Sequence, residues 1–155
     1  MYNFFVDSHC HLNMLEEEKG MLIDDVIKNA NNNDVKVINN ISTEVIEFNK
    51  VLNVANKYKN VFATIGIHPS NSLEINKSDF LLKELIKYSS YEKVIAFGES
   101  GLEYFYETNI DKKTQKNNLE VHIEACRKTG LPLVIHSRSA DEDMIEILNS
   151  EMKNG

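Results

Sequence analysis

The chain has 155 residues, of which 42% are hydrophobic and 26% are charged, and its formal net charge is −7. This length fits one domain with one core, so we expect a single domain over residues 1–155. The acidic balance argues against a protein that wraps nucleic acid by broad neutralisation of phosphates, but not against an enzyme that holds a few phosphates through metal ions. We find no apolar run that suits a membrane span, no signal-peptide pattern and no paired cysteine spacing, so we expect no membrane contact and a cytoplasmic location.

Five short segments rich in apolar and β-branched residues predict strands, at residues 4–10, 35–41, 61–67, 94–98 and 131–136. Apolar stripes at helical spacing between the first four strands predict three helices, and they consist of Ile23, Val26, Ile27 and Ala30; Val45, Phe48, Leu52 and Ala55; and Phe80, Leu81, Leu85 and Tyr88. A fourth helix is predicted over residues 112–128, ahead of a stop at Thr129-Gly130, and a fifth begins near Ser139 or Ala140.

The regular alternation of strands and helices predicts an α/β fold with a parallel sheet. Strand centres recur at roughly 27 to 37 residues, which is the size of a βαβ unit. Two architectures remain open at this point. Five strands are enough for a doubly wound open sheet, whereas a (β/α)₈ barrel needs about 250 residues and is unfinished after five units.

The first predicted strand ends in the motif Asp7-Ser8-His9-Cys10-His11. Because side chains alternate along a strand, Asp7, His9 and His11 are predicted to share one face. Two imidazoles at this spacing can bind one cation, and the carboxylate of Asp7 is then available to orient a ligand. Packed or solvated histidines are an equally good interpretation of this motif taken alone.

Three later strands also end in a group that can bind a metal ion or a phosphate, namely His68, Glu99 and the pair His136 and Arg138. In a parallel barrel the carboxyl ends of all strands meet at one rim, where active sites lie. Side chains of this kind at four of five strand ends therefore predict a divalent-metal hydrolase site with imidazole and carboxylate ligands. His122 falls inside the fourth helix, and we expect it to be exposed or half-buried.

Four motifs together resemble the TatD family of metal-dependent deoxyribonucleases, and they are DSHCHL at residues 7–12, GIHP at 66–69, GESGL at 98–102 and PLVIHSR at 132–138. The resemblance implies a TIM-barrel-like (β/α)₈ metallo-dependent hydrolase fold and two adjacent divalent ions, Mg²⁺, Mn²⁺ or Zn²⁺. It implies that His9 and His11 hold the first ion, that Glu99 bridges both ions as the catalytic carboxylate, and that His136 holds the second.

The substrate implied by the resemblance is DNA or a small phosphodiester. Two ions in such a site activate water and offset the charge that develops during cleavage. His68 and Arg138 become candidate substrate-binding residues through contacts with phosphate. Arg138 is equally able to pair with Asp141 or Glu142 at the start of the last helix, and the sequence does not separate these two roles.

The chain departs from the family pattern in two places. Glu103 stands where the family usually has Asp, and we assign Glu103 no catalytic role. Family members also continue for about three more βα units, which carry a further His ligand and an Asp beside the attacking water. We therefore expect a barrel truncated after about five βα units, low or absent activity of the isolated chain, and a second chain with the missing half as a candidate partner.

Two alternatives stay open. Another amidohydrolase-like enzyme, such as an amidase or a lactonase, also has a His-x-His pair, but such enzymes commonly carry lysine at the position of Glu99. The other alternative is a degenerate remnant or split-gene fragment that has no independent catalysis.

Overall fold

The computed structural model describes residues 4–152, which form five parallel β-strands and six α-helices, with two helices between β1 and β2 and one after each later strand. The strands are β1 (Phe5–Cys10), β2 (Val35–Ile41), β3 (Val61–Ile65), β4 (Val94–Glu103) and β5 (Leu133–Arg138). The helices are α1 (Leu12–Lys19), α2 (Ile23–Asn32), α3 (Phe48–Lys57), α4 (Ser78–Ser89), α5 (Lys112–Thr129) and α6 (Asp141–Met152).

The order of the strands in the sheet is the same as their order along the chain, and all four neighbouring pairs are parallel. A doubly wound sheet reverses its strand order at a switch point, and residues 4–152 contain no such reversal. Because the connections between parallel strands are right-handed, strands added in one direction place their helices on one face, as in the wall of a barrel. The sheet is therefore part of a TIM-barrel-like fold, as predicted, and the doubly wound alternative is wrong.

The main core lies between the sheet and its covering helices. Phe48 of α3, Leu85 of α4 and Phe97 of β4 are completely buried there. A smaller apolar cluster, which includes Leu102 and Leu119, packs the end of β4 against α5 and α6. Each fully buried side chain of this size contributes about 1.5–3 kcal/mol relative to an exposed one, so these two clusters hold the strand ends in place.

The ends of three strands differ from the prediction. β3 ends at Ile65 rather than residue 67, β5 runs over residues 133–138, and β4 continues to Glu103 rather than stopping at residue 98. The additional residues of β4 pair with β5, so that Gly101 lies opposite His136. A Cβ at Gly101 would lie 1.8 Å from the carbonyl oxygen of His136, which explains why this close pairing requires glycine. Glu99 therefore lies inside β4, at the irregularity in the pairing with β5 between Phe97 and Ser100.

Two further details differ from the sequence-based expectation. α1 was not predicted, because it is only 8 residues long and has no clear apolar stripe. Phe80 was placed in the apolar stripe of α4, but its side chain is 48% exposed, and Leu81 and Leu85 form the buried face of that helix.

β1, at one edge of the sheet, has the most exposed apolar side chains of the five strands. Phe5 and Val6 of β1 are 70% and 55% exposed, and Ile135 of β5 is 42% exposed. Within residues 4–152, no helix combines the length and the apolar character that crossing a membrane requires.

Candidate metal centre

The carboxylate of Glu99 lies at the centre of a cluster of imidazole rings from the ends of two other strands. Its Oε2 is 3.2 Å from Nε2 of His9 and 3.7 Å from Nδ1 of His136, and its Oε1 is 3.6 Å from Nε2 of His11. The pairing of β4 with β5 and the closeness of β1 bring these four side chains to one rim. The structure thus assembles all four residues that the resemblance implied as metal ligands.

The ring of His11 is oriented by a backbone group and not by Asp7. Nδ1 of His11 lies 2.9 Å from the carbonyl oxygen of Ile41, which only accepts hydrogen bonds, so Nδ1 carries a proton and Nε2 is the ring nitrogen that faces Glu99. Asp7 instead accepts a hydrogen bond from the backbone N–H of His9 at 3.2 Å. The suggestion that Asp7 orients a ligand ring therefore does not hold, although Asp7 does help to fix the backbone of the motif.

Two buried asparagines of β2 hold the end of β1. Asn40 is fully buried, and its side-chain oxygen accepts a hydrogen bond from the backbone N–H of Leu12, the first residue of α1. Asn39 donates to the carbonyl oxygen of Ser8 and accepts from the hydroxyl of Thr64. These bonds fix the backbone on both sides of His9 and His11. The sequence does not reveal these bonds, since buried amides in a strand form no recognisable motif.

A second cluster, made of His68, Glu103 and His136, adjoins the first through the ring of His136. Nε2 of His136 lies 3.1 Å from Oε2 of Glu103, while the rings of His68 and His136 are 4.3 Å apart in an edge-to-face arrangement. Glu103 is 3% exposed, and its Oε1 accepts hydrogen bonds from the backbone N–H groups of Phe105 and Tyr106. Because a carboxylate only accepts, Glu103 orients Nδ1 of His136 towards Glu99.

The charges in the two clusters favour an ionised Glu99 among hydrogen-bond donors. Burial raises the pKa of Glu99, but the contacts with His11 and His136 and the nearby charge of His9 lower it more, so that it lies well below the usual range. The same contacts with Glu99 raise the pKa of His11 and of His136. For His68, burial and the repulsion from His136 lower the pKa instead, which favours a neutral ring.

His122 is completely buried, which corrects the expectation of an exposed or half-buried residue. Its Nδ1 donates to the carbonyl oxygen of Asn118 at 2.7 Å, and its Nε2 accepts from the backbone N–H of Ile67 at 3.2 Å. Burial lowers the pKa of His122 to about 4, so the ring is neutral at pH 7. The expectation failed because His122 bonds to the residue before His68, a contact across 55 positions that no local pattern in α5 reveals.

The guanidinium of Arg138 packs against aromatic rings and not against an acid. Its central carbon lies 4.4 Å from the ring centroid of Phe105 and 4.5 Å from that of Tyr106. No carboxylate of residues 4–152 forms an ion pair with it, and Asp141 accepts a hydrogen bond from Ser137 instead. Of the two roles weighed for Arg138, pairing with the first turn of α6 is therefore wrong.

The donor set fits divalent metal ions. Two groups of three residues each offer ligand atoms that lie within 4.8 Å of one another, His9, His11 and Glu99 in one group and His68, Glu103 and His136 in the other. Mixed imidazole and carboxylate donors suit Zn²⁺, Mn²⁺ and related ions. An open cleft of about 250 Å³ borders the clusters, and it is lined by His11, Met14, Thr43, His68, Asn71 and Glu99. The site thus has ligands for a cation and room for a substrate group beside it.

Comparison with known proteins agrees with this geometry. Residues 6–155 match the family model described as TatD related DNase. The chain is 37% identical over 153 residues to an uncharacterized metal-dependent hydrolase of Buchnera aphidicola from Acyrthosiphon pisum, covering 96% of this chain and 58% of that protein. It is 33% identical over 150 residues to the uncharacterized metal-dependent hydrolase YcfH of Escherichia coli K12, covering 96% of this chain and 54% of YcfH.

Solved structures show the same relationship. The hydrolase TatD family protein of Entamoeba histolytica superposes with a TM-score of 0.81 at 28% identity, over 100% of this chain and 56% of that one. The phosphotriesterase homology protein of Escherichia coli shares the fold alone, with a TM-score of 0.66 at 15% identity over 96% of this chain and 58% of that one. The chain thus spans little more than half the length of the relatives it matches. By its family match and by the cluster around Glu99, this chain belongs to the TatD family of metal-dependent hydrolases.

Proposed function

We propose that this chain provides the amino-terminal part of a phosphodiesterase that cleaves DNA with two divalent metal ions. The observation that carries the proposal is the ionised carboxylate of Glu99, which lies between His9 and His11 on one side and His136 on the other. A carboxylate whose two oxygens both face imidazole nitrogens, from two different strand ends, is suited to act as a ligand shared by two ions. Two ions held there would supply the activation of water and the compensation of negative charge on the phosphate oxygens.

The roles of the ligands follow from the atoms that face Glu99. His9 and His11 offer Nε2 for the first ion, and His136 offers Nδ1 for the second. Glu103 holds the other nitrogen of the His136 ring, so it fixes which atom of His136 is presented to the ion. Glu103 thus has a positioning role in this proposal, whereas the sequence alone suggested no role for it.

Two further side chains are proposed to contact the substrate. His68 borders the cleft beside Glu99, and its lowered pKa favours a neutral ring that donates a hydrogen bond to a phosphate oxygen. Arg138 has no acidic partner among residues 4–152, so its guanidinium is free to bind phosphate through two parallel N–H groups. DNA is proposed as the substrate on the strength of the family description, and the whole enzyme's activity also depends on the segments that its relatives carry beyond this match.

Metal content and DNA cleavage test the proposal together. After treatment with EDTA, we expect the chain to bind two Mn²⁺ or Zn²⁺ ions by titration calorimetry. We also expect a 5′-labelled oligonucleotide to be cleaved only when metal is restored, by the chain alone or mixed with the carboxy-terminal segment of YcfH. The double variant His9→Gln/His11→Gln serves as the inactive control. Failure to bind two ions, together with no metal-dependent cleavage in either mixture, contradicts the proposal.

A further inference from the structure

The residues that follow β4 and β5 form an exposed aromatic surface beside the metal centre. We define the aromatic rim as Phe105, Tyr106 and Arg138. Phe105 and Tyr106 are 59% and 57% exposed, although they are large apolar side chains. Their rings are 4.9 Å apart in an edge-to-face arrangement, and the guanidinium of Arg138 lies against both. Adjacent exposed rings of this kind mark a binding surface more often than isolated exposed apolar side chains do.

The aromatic rim is held rigidly to the metal centre by Glu103. One oxygen of Glu103 accepts from the backbone N–H groups of Phe105 and Tyr106, at 2.8 and 3.1 Å, and the other contacts His136. Gln115 in turn binds the backbone of Glu103, accepting from its N–H at 2.8 Å. These hydrogen bonds fix the backbone that carries the exposed rings before any ligand arrives, which reduces the backbone entropy that is lost on binding.

The position of Arg138 connects the rings to the site. Arg138 and His136 are two residues apart in β5, so their side chains leave the same face of the strand, about 7 Å apart along it. Arg138 has no ion pair within residues 4–152, in a chain whose net charge is −7. A cation without an acidic partner, next to two exposed rings and two residues from His136, suits a group that carries both an anion and a flat aromatic surface.

We propose that the aromatic rim is a nucleotide subsite, in which an unpaired base stacks on the face of one of the two rings, Phe105 or Tyr106, with the other ring at its edge, while its phosphate contacts Arg138. This inference rests on the proposed function, because it takes DNA as the substrate. Stacking on aromatic side chains tolerates any base, and it requires that the base is not paired inside a duplex. The rim therefore selects single-stranded or frayed ends over closed duplex, and it supplies affinity that the acidic surface of this protein does not provide.

The experiment measures the binding of a fluorescein-labelled ten-nucleotide oligothymidylate in EDTA, where cleavage is blocked. For the variant Phe105→Ala/Tyr106→Ala, we expect the dissociation constant to rise by about 5-fold to 150-fold, which is the range for losing stacking on one base. An abasic strand of the same length should bind the wild type and the variant equally, since it has phosphates but no base. Phe105→Tyr should retain binding of the oligothymidylate, because it keeps a ring.

Tyr91→Ala is the matched control. Tyr91 is 44% exposed but precedes β4, at the opposite end of the sheet, so its loss should leave the dissociation constant unchanged. Equal binding of the oligothymidylate by the wild type and the ring variant overturns the proposal. So does a change of oligomeric state in the ring variant without a change in DNA binding, which would show that protein covers the rings.

The outcome separates this subsite from the proposed function. Ring-dependent binding without any metal-dependent cleavage supports the subsite and counts against the phosphodiesterase. Metal-dependent cleavage with the same KM in the wild type and the ring variant supports the phosphodiesterase and overturns the subsite.

Discussion

Two side-chain clusters lie at the rim, and they meet where His136 of the second contacts Glu99 of the first. They differ in exposure and in the partners of their carboxylates. In the first cluster, His9 and His11 direct ring nitrogens at Glu99, and the side chain of His9 is 40% exposed. In the second, the side chain of Glu103 is only 2% exposed, and both of its oxygens already have protein partners. In the first cluster, the donor atoms remain able to bind a metal ion. In the second, hydrogen bonds within the protein already use both oxygens of the Glu103 carboxylate.

This difference indicates separate tasks for two glutamates of the same strand. Glu99 and Glu103 are four residues apart in β4, and both have a pKa below the usual range. Burial raises the pKa of each, but Glu99 is stabilised mainly by imidazoles, while Glu103 is stabilised mainly by backbone N–H groups of the loop after β4. Imidazoles can give up their contact with Glu99 to a metal ion. The backbone of a loop cannot do so without moving, so Glu103 is suited to positioning.

The largest expected effect comes from Glu99→Gln. If Glu99 bridges two ions, this change weakens the binding of both by more than about 100-fold, because loss of an outer partner alone costs 10–100-fold. Titration calorimetry with Mn²⁺ measures both affinities. Glu16→Gln, at an exposed carboxylate of α1, is the control and should bind like the wild type. Loss of only one ion in Glu99→Gln would contradict a bridging role.

A smaller and more selective effect is expected for Glu103→Gln. The second ion should bind about 10-fold to 100-fold more weakly, since His136 loses the charge that orients it, while the first ion should bind as before. Glu103→Asp keeps the charge and should lie between the wild type and Glu103→Gln. If the same titrations show that both ions lose affinity equally, Glu103 is a ligand shared by the two ions. The two glutamates then have no separate tasks.

The smallest expected effect concerns His122, which lies behind the second cluster. Its pKa falls from 6.5 to about 4 in the folded chain. Between these two pH values, the unfolded state therefore binds more protons than the folded state. Stability is therefore unaffected above pH 6.5 and is lost as the pH falls from 6.5 towards 4, by about 3 kcal/mol in total.

His122→Gln tests this contribution, because an amide can also accept from Ile67 and donate to Asn118. Urea unfolding at pH 7.5 should give similar free energies of unfolding for both proteins. At pH 4.5 the wild type should have lost more stability than the variant. Parallel loss in the two proteins would show that His122 titrates alike in the folded and unfolded states.

Much of the fold followed from local patterns. Alternating strands and helices predicted a parallel α/β sheet, and the predicted strand-end positions of His9, Glu99 and His136 favoured a barrel. The strand order confirms the barrel-like fold, although Glu99 and His136 lie inside their strands and not at the last residue. The end of β4 was missed because its last residues are polar and glycine-rich. They belong to the strand only because they pair with β5, and a partner strand about 35 residues away leaves no signal in the local sequence.

Within the site, the sequence by itself determined which imidazoles and carboxylates are available as donor groups, because they are read directly from the four motifs. Tertiary structure decided how those donor groups are oriented. The backbone carbonyl of Ile41 selects the nitrogen that His11 presents, and the buried carboxylate of Glu103 does the same for His136. Tertiary structure also places the guanidinium of Arg138 against the exposed rings of Phe105 and Tyr106, and not against the acidic side chains of α6. Each of these contacts joins residues from different elements, so only the packing of the chain could bring them together.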